Sequence, residues 1–174
     1  MLNSDMYTAL REKRSARNLI KCAVGVLICI ASAAAASDQH DPIMGTWIFR
    51  LSASAHSDPA QALDRATARY EPYADSGIRF TSEIYRKDGT VIRRSWTAAA
   101  DGTDHAVVGD SAFDSVALRR VNRHAILFLY KKDGKIVSAQ VRDVSPDLKS
   151  MTLTQLGITA AGAVMNNTVV FDRE

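Results

Sequence analysis

From residue 43 onward the chain is written in short runs separated by turn-forming clusters, and within the runs apolar and polar side chains tend to alternate with the two-residue period of strands. Met151-Thr152-Leu153-Thr154-Gln155 shows the alternation openly, as a strand with one wet face does. Ala125-Ile126-Leu127-Phe128-Leu129-Tyr130 is apolar at every position, so its outer face is either covered by another segment or meets a partner. Asp88-Gly89 separates the run 78–86 from 91–98, and Asp133-Gly134 joins 125–130 to 136–141. Both read as hairpins, because Asp-Gly tolerates the positive φ of tight two-residue turns. Asp101-Gly102 repeats the device. Further turns are marked by Ala74-Asp75-Ser76-Gly77, Val121-Asn122-Arg123, Ser145-Pro146-Asp147 and Ala160-Ala161-Gly162.

These runs predict an all-β fold of about eight to ten strands with short connections, in which neighbours in sequence are neighbours in space. So long a meander twists, and closing it into an antiparallel up-and-down barrel removes its open edges. The one helical signal is Asp58-Pro59 followed by Ala60-Gln61-Ala62-Leu63, with Asp58 as cap and Pro59 in the first turn. It predicts one or two turns ending near Ala66, either a surface connection or a lid over one end of the barrel.

Composition and charge change the picture mainly at the N-terminus. With 47% hydrophobic and 24% charged residues, the chain has the make-up of a folded domain. The formal net charge is +3, but Arg11, Lys13, Arg14, Arg17 and Lys21 against Asp5 and Glu12 carry the whole excess. The remainder is charge-balanced and offers no electrostatic footprint for nucleic acid. Both cysteines, Cys22 and Cys29, fall in the same leader, so the domain beyond it is held by its core and not by disulfides. Basic residues 11–17, the apolar run 22–30 and Ala33-Ala34-Ala35-Ala36 are the three parts of an export signal. The apolar run falls short of the roughly 20 residues that a bilayer core requires, which favours cleavage over a retained anchor. Ile28 is too bulky for lipoprotein processing at Cys29, and Met6 offers an alternative start. The expected organisation is a signal peptide over 1–36, a flexible lead-in over 37–42 and a barrel over 43–174, with the mature domain periplasmic or secreted, off the membrane, and monomeric or weakly associating.

Gly45-Thr46-Trp47 resembles the Gly-x-Trp that opens the first strand of lipocalins and the wider calycin group. The resemblance implies that a basic residue from the end of the barrel packs over the Trp47 indole and closes the base, with Arg173 the candidate and Arg142 the alternate. A closer resemblance spans nearly the whole mature chain. Gly45-Thr46-Trp47, Arg69-Tyr70-Glu71-Pro72, Gly77-Ile78-Arg79-Phe80-Thr81, Asp101-Gly102, Val116-Ala117-Leu118-Arg119-Arg120-Val121 and Val170-Phe171-Asp172-Arg173 are similar to a family of small exported bacterial lipocalin-like proteins without an assigned activity. Where that family carries a Lys-Ser-Lys-Phe-like run after the first strand, this chain has Ser52-Ala53-Ser54-Ala55-His56. The resemblance implies a barrel with an internal site and no particular ligand.

Candidate chemistry is sparse. His40, His56, His105 and His124 are scattered, with no pair spaced to place two metal ligands on one face. No Gly-x-Ser-x-Gly elbow or phosphate-cradling glycine loop is present, most carboxylates sit in turns, and neither a catalytic set nor a cofactor is indicated. Arg93-Arg94, Arg119-Arg120 and Lys131-Lys132 are basic doublets; at strand ends both side chains of each reach water, and the alternative sends one inward to meet a carboxylate-bearing ligand. Tyr85, Trp96 and Tyr130 flank the predicted hairpin turns and are the candidate lining of an amphipathic cavity. The expected function is non-catalytic binding of a small apolar or amphipathic molecule. The alternative is a periplasmic interaction or structural module acting through the 125–130 face or the 52–66 loop.

Overall fold

The computed structural model describes residues 41–59, 62–159 and 162–174. The signal peptide expected over 1–36 and positions 37–40 of the lead-in lie outside the described residues. The described chain forms strands β1 (Gly45–Phe49), β2 (Leu63–Tyr73), β3 (Gly77–Arg86), β4 (Val91–Ala99), β5 (Asp101–Ala106), β6 (Ser115–Arg120), β7 (Ala125–Lys132), β8 (Lys135–Val144), β9 (Ser150–Ile158) and β10 (Val164–Arg173), with one 3₁₀ turn over Leu51–Ala53. All ten lie in a single sheet in the order β4-β3-β2-β1-β10-β9-β8-β7-β6-β5, each pair antiparallel.

The first and last strands meet over three residue pairs, Trp47 with Arg173, Ile48 with Asp172 and Phe49 with Phe171. Trp47 pairs with Ala68 of β2 on one side and with Arg173 of β10 on the other. The two remaining edges, β4 and β5, share no ladder, but Ser95 and Val108 exchange both backbone hydrogen bonds at 3.0 and 2.9 Å. Gly109 follows at φ +81°, packed so closely on β4 that any Cβ there would collide with the Arg93 carbonyl. The sheet is thus a nearly closed cylinder, and strand alternation becomes a rule of inside and outside.

One end of the cylinder is plugged. Trp47 is fully buried, and its indole N–H donates to the Ile43 carbonyl at 2.8 Å. The Arg173 guanidinium lies 4.2 Å from the indole centroid and donates to the carbonyls of Met44, Pro42 and Leu148, each at 2.5 Å. Gly45, at φ +122°, leaves room for it, since a Cβ there would stand 2.7 Å from Arg173 Nη1. Arg142, the alternate for this role, lies elsewhere, inside the barrel. Asp41 and Pro42, expected in the flexible lead-in, are anchored here: the Asp41 carboxylate accepts from the Ile43 N–H at 3.2 Å and pairs with Arg120.

Two local expectations are corrected. Residues 63–66, expected as the end of a helix, are already β2; pairing with β3 supplies backbone bonds that so short a helix cannot match. The Ala62 N–H donates to the Pro59 carbonyl at 3.1 Å, and Ala60 and Gln61 lie outside the described residues. Asp101-Gly102 does not form a hairpin turn but opens β5 at an irregularity opposite Arg119. On β7, Ile126, Phe128 and Tyr130 are buried, while Leu127 and Leu129, on the opposite face, are half-buried.

The seam makes a testable claim about stability. A lysine at 173 keeps the charge but not the three divergent donors, so Arg173→Lys is expected to lower unfolding free energy by about 1–3 kcal/mol in urea titration. Trp47→Ala is expected to cost about 3–5 kcal/mol.

Candidate functional site: the barrel interior

At the end of the barrel opposite Trp47 the interior opens into a cavity of about 660 Å³, within the range of about 300–1,000 Å³ that small-molecule sites occupy. Its walls differ. On β2–β4 the lining combines Leu63, Ala66, Ala68, Phe80, Ile84 and Ile92 with Thr67, Ser82, Arg86 and Arg94; the two alanines leave the room that larger side chains would fill. On β8–β10 it carries Gln140, Arg142, Gln155 and Asn167 among Met151, Leu153, Val169 and Phe171.

The polar wall follows from β8. Its sequence Ser138-Ala139-Gln140-Val141-Arg142-Asp143-Val144 would ordinarily turn Ala139 and Val141 inward. The structure does the reverse: Ser138, Gln140, Arg142 and Val144 are buried, and Val141 is 37% exposed. The pairings Phe128 with Gln140 and Ile126 with Arg142 set this parity, with a one-residue irregularity between Tyr130 and Lys131.

Arg142 is 3% exposed and sits on aromatic faces, 4.2 Å from the Phe128 centroid and 5.0 Å from that of Phe80. It donates to the Tyr70 hydroxyl, to the Tyr130 hydroxyl at 3.2 Å and to Gln140 Oε1 at 3.0 Å. All three acceptors are hydroxyl or amide oxygens, and none of the ion pairs among the described residues includes Arg142. Burial pushes the Tyr70 hydroxyl well above its ordinary value, with Arg142 pulling the other way. At Tyr130 burial works in the same upward direction, but the Arg142 and Arg94 guanidiniums outweigh it and hold the hydroxyl below its ordinary value. The second interior arginine is balanced: Arg94 pairs with Asp110, both nearly buried, and Asp110 also accepts from the Ala112 N–H at 2.9 Å. Arg93 points outward to Glu83 at 2.7 Å. The doublet Arg93-Arg94 is therefore split between faces, because it lies within β4 and not at its end. Arg119 and Arg120 are both exposed, and Lys131 pairs with Asp104 at 2.6 Å.

The aromatic candidates fall outside the lining. Trp96 and Tyr130 are buried behind it: Trp96 stacks on Phe80 at 4.7 Å between centroids and donates to the Tyr130 hydroxyl at 3.3 Å, so the pair supports Phe80 and Arg142. Tyr85 is on the outer face, since β3 turns Phe80, Ser82 and Ile84 inward; its ring lies 3.8 Å from the Arg65 guanidinium. Of the residues missed by composition alone, Gln140, Arg142, Gln155 and Asn167, only Arg142 and Asn167 carry a local signal, each lying two residues from a buried apolar group of its own strand, Val144 and Val169.

Four buried side-chain atoms among the described residues lack a hydrogen-bond partner: His56 Nε2, Ser82 Oγ, Arg86 Nε and Arg142 Nε. All four belong to residues that line this cavity. His56 arrives on the loop after the 3₁₀ turn, which is pinned to β10 by the two backbone bonds between Ala55 and Thr168 at 2.8 and 2.9 Å.

In fold the chain is similar to the fluorescent protein UnaG, wild type, with a TM-score of 0.53 and 13% identity over 76% of this chain and 97% of that one. A more distant likeness is to the zebrafish ileal bile acid-binding protein complexed with cholic acid, with a TM-score of 0.45 and 12% identity over 76% and 99% of the two chains. No family model matches the sequence, and no curated protein matches it. The shared fold is an antiparallel up-and-down β-barrel.

Burial and the nearby Lys87 both hold the His56 imidazole below its ordinary value of 6.5. The unfolded chain therefore takes up this proton at higher pH than the native one. The contribution is fully present above the unfolded value and is lost as pH falls through it toward the native value. Between about pH 8 and about pH 5 the wild-type unfolding free energy is expected to fall more than that of His56→Gln. Equal slopes in paired denaturation curves would refute this.

Proposed function

We propose that this protein is an exported, non-catalytic barrel that binds a small amphipathic molecule carrying a carboxylate, with the acid against Arg142 and the apolar body against β2–β4. One observation carries the reading: a guanidinium buried inside a cavity, hydrogen-bonded to hydroxyl and amide oxygens and to no carboxylate. Removing an ion from water costs several kcal/mol, and neutral acceptors offset only part of it. A carboxylate partner supplies the missing counter-charge and a charge-assisted hydrogen bond. The aliphatic and aromatic lining on the opposite wall accepts an apolar body, and the one carboxylate among the described lining residues, Asp110, is already spent on Arg94.

Export rests on the basic, apolar and small-residue sequence of positions 11–36. N-terminal sequencing of the protein from a periplasmic fraction is expected to begin near Ser37; recovery of the intact chain from the cytosol would count against export.

Arg142→Met is expected to weaken octadecanoic acid binding about 100-fold in a displacement titration, while stability in urea holds or rises because an unpaired buried charge has gone. Affinity unchanged by that substitution would sink the carboxylate reading. Ala68→Phe, which fills the apolar side, is expected to abolish uptake of the same acid with Arg142 in place.

A further inference from the structure

The polar wall has a direction, and its direction constrains the ligand. Arginine can only donate, so Gln140 must present Oε1 to Arg142 Nη2 at 3.0 Å. At the other end a backbone N–H, that of Ser57, donates to Asn167 Oδ1 at 2.9 Å, and the Ser57 hydroxyl joins it at 3.3 Å. These two fixed donors orient every amide between them. Asn167 Nδ2 donates to Gln155 Oε1 at 3.2 Å, Gln155 Nε2 donates to Ser138 Oγ at 3.0 Å, and Gln140 Nε2 reaches the same oxygen at 3.5 Å. Each amide oxygen in the chain is thereby used. Each amide nitrogen, having two hydrogens, keeps one. To these are added the unpartnered Arg142 Nε–H and the proton of Ser138, whose oxygen accepts from both sides.

The residual capacity of this wall is thus mostly donors. An unmatched buried N–H is rarer and costlier than a carbonyl with one lone pair unused. A plain alkyl chain laid against Gln140, Gln155 and Asn167 leaves those donors unmatched. We propose that the molecule bound here carries carbonyl-type acceptor oxygens along the edge facing β8–β10, as in a keto, lactone or lactam acid, and not an alkyl carboxylate. This rests on the carboxylate reading above and refines it. Two residues along a strand advance about 6.6 Å and each strand crossed adds about 4.8 Å, so the acceptors begin several bonds from the acid group.

The test compares octadecanoic acid with its mid-chain hydroxy and mid-chain oxo derivatives, titrated against the purified protein by displacement of a fluorescent fatty acid. The oxo acid is expected to bind about tenfold tighter than octadecanoic acid, the size of one to two neutral hydrogen bonds, with the hydroxy acid weaker than the oxo acid. In Gln155→Met the ratio of oxo to plain acid is expected to fall toward one. The ketone stretching band of the oxo acid, read by infrared difference spectroscopy, is expected to move to lower frequency on binding to the wild type and less so in the variant. The wild-type series stands on its own should the variant fold poorly. Equal affinity for the plain and oxo acids, tighter binding of the hydroxy acid, or an unshifted ketone band overturns the proposal while the carboxylate reading stands. Failure of all three acids to bind, or binding that Arg142→Met leaves unaltered, overturns both.

Discussion

The seam at Trp47 is the constraint on which the rest of the barrel depends. One residue pairs with β2 on its left and β10 on its right, and Arg173 lies on its ring while bonding three carbonyls of neighbouring segments. With both sides of β1 fixed, the registers of β2 and β10 follow. From them each successive antiparallel partner inherits which of its positions face inward. Ala68 is inside because it pairs with Trp47, and Ser82 is inside because it pairs with Ala68. The cavity lining is therefore set in part from the closed end, many ångströms from the groups that line it.

That transmitted register explains how the protein sustains an interior that side-chain preference alone would reject. Gln140 and Arg142 are buried in β8 while Val141 between them faces out. An isolated strand of this sequence gains more by the opposite choice, because that choice leaves the guanidinium in water. Here the choice belongs to the whole cylinder: turning β8 over would also break its ladders to β7 and β9. The cost of the buried charge is borne by the other strands, because the ladders they form hold β8 in this orientation.

The same reasoning shows which features were legible in the sequence. Strand number, antiparallel order and the hairpins at Asp88-Gly89 and Asp133-Gly134 are local properties, written in turn chemistry and short apolar runs. Gly45 and Trp47 stood out as a motif, and the basic residue near the chain end lies over the indole in the structure. Residues 63–66 were misread because alanine, leucine and a preceding proline carry helical propensity, which a ladder to β3 overrides. Tyr85 was misplaced by a single step of parity, since being aromatic and near a turn does not say which face a residue takes. The inward turn of Arg142 was hidden for a like reason: alternation read strand by strand assumes that the polar face is wet, and around this cavity that assumption fails.

Arg142 joins the two ends of this interior into one system. Its Nη2 donates to Gln140, and that bond fixes the polarity of the chain running through Ser138 and Gln155 to Asn167. Nη2 is fully used by Gln140 and Tyr130, Nη1 keeps one hydrogen after its bond to Tyr70, and Nε has no partner. A carboxylate that takes the Nε–H does not compete with Gln140 for the guanidinium, so recognition of an acid leaves the amide chain oriented as it was. Were Nη2 the unspent donor instead, Gln140 would be free to rotate, the amides beyond it would lose their common direction, and the wall could present oxygen as readily as N–H. Placing the unmatched protons of Arg142 on Nε and Nη1, away from Gln140, is thus what would let a single buried cation both attract an anion and keep a donor surface beside it.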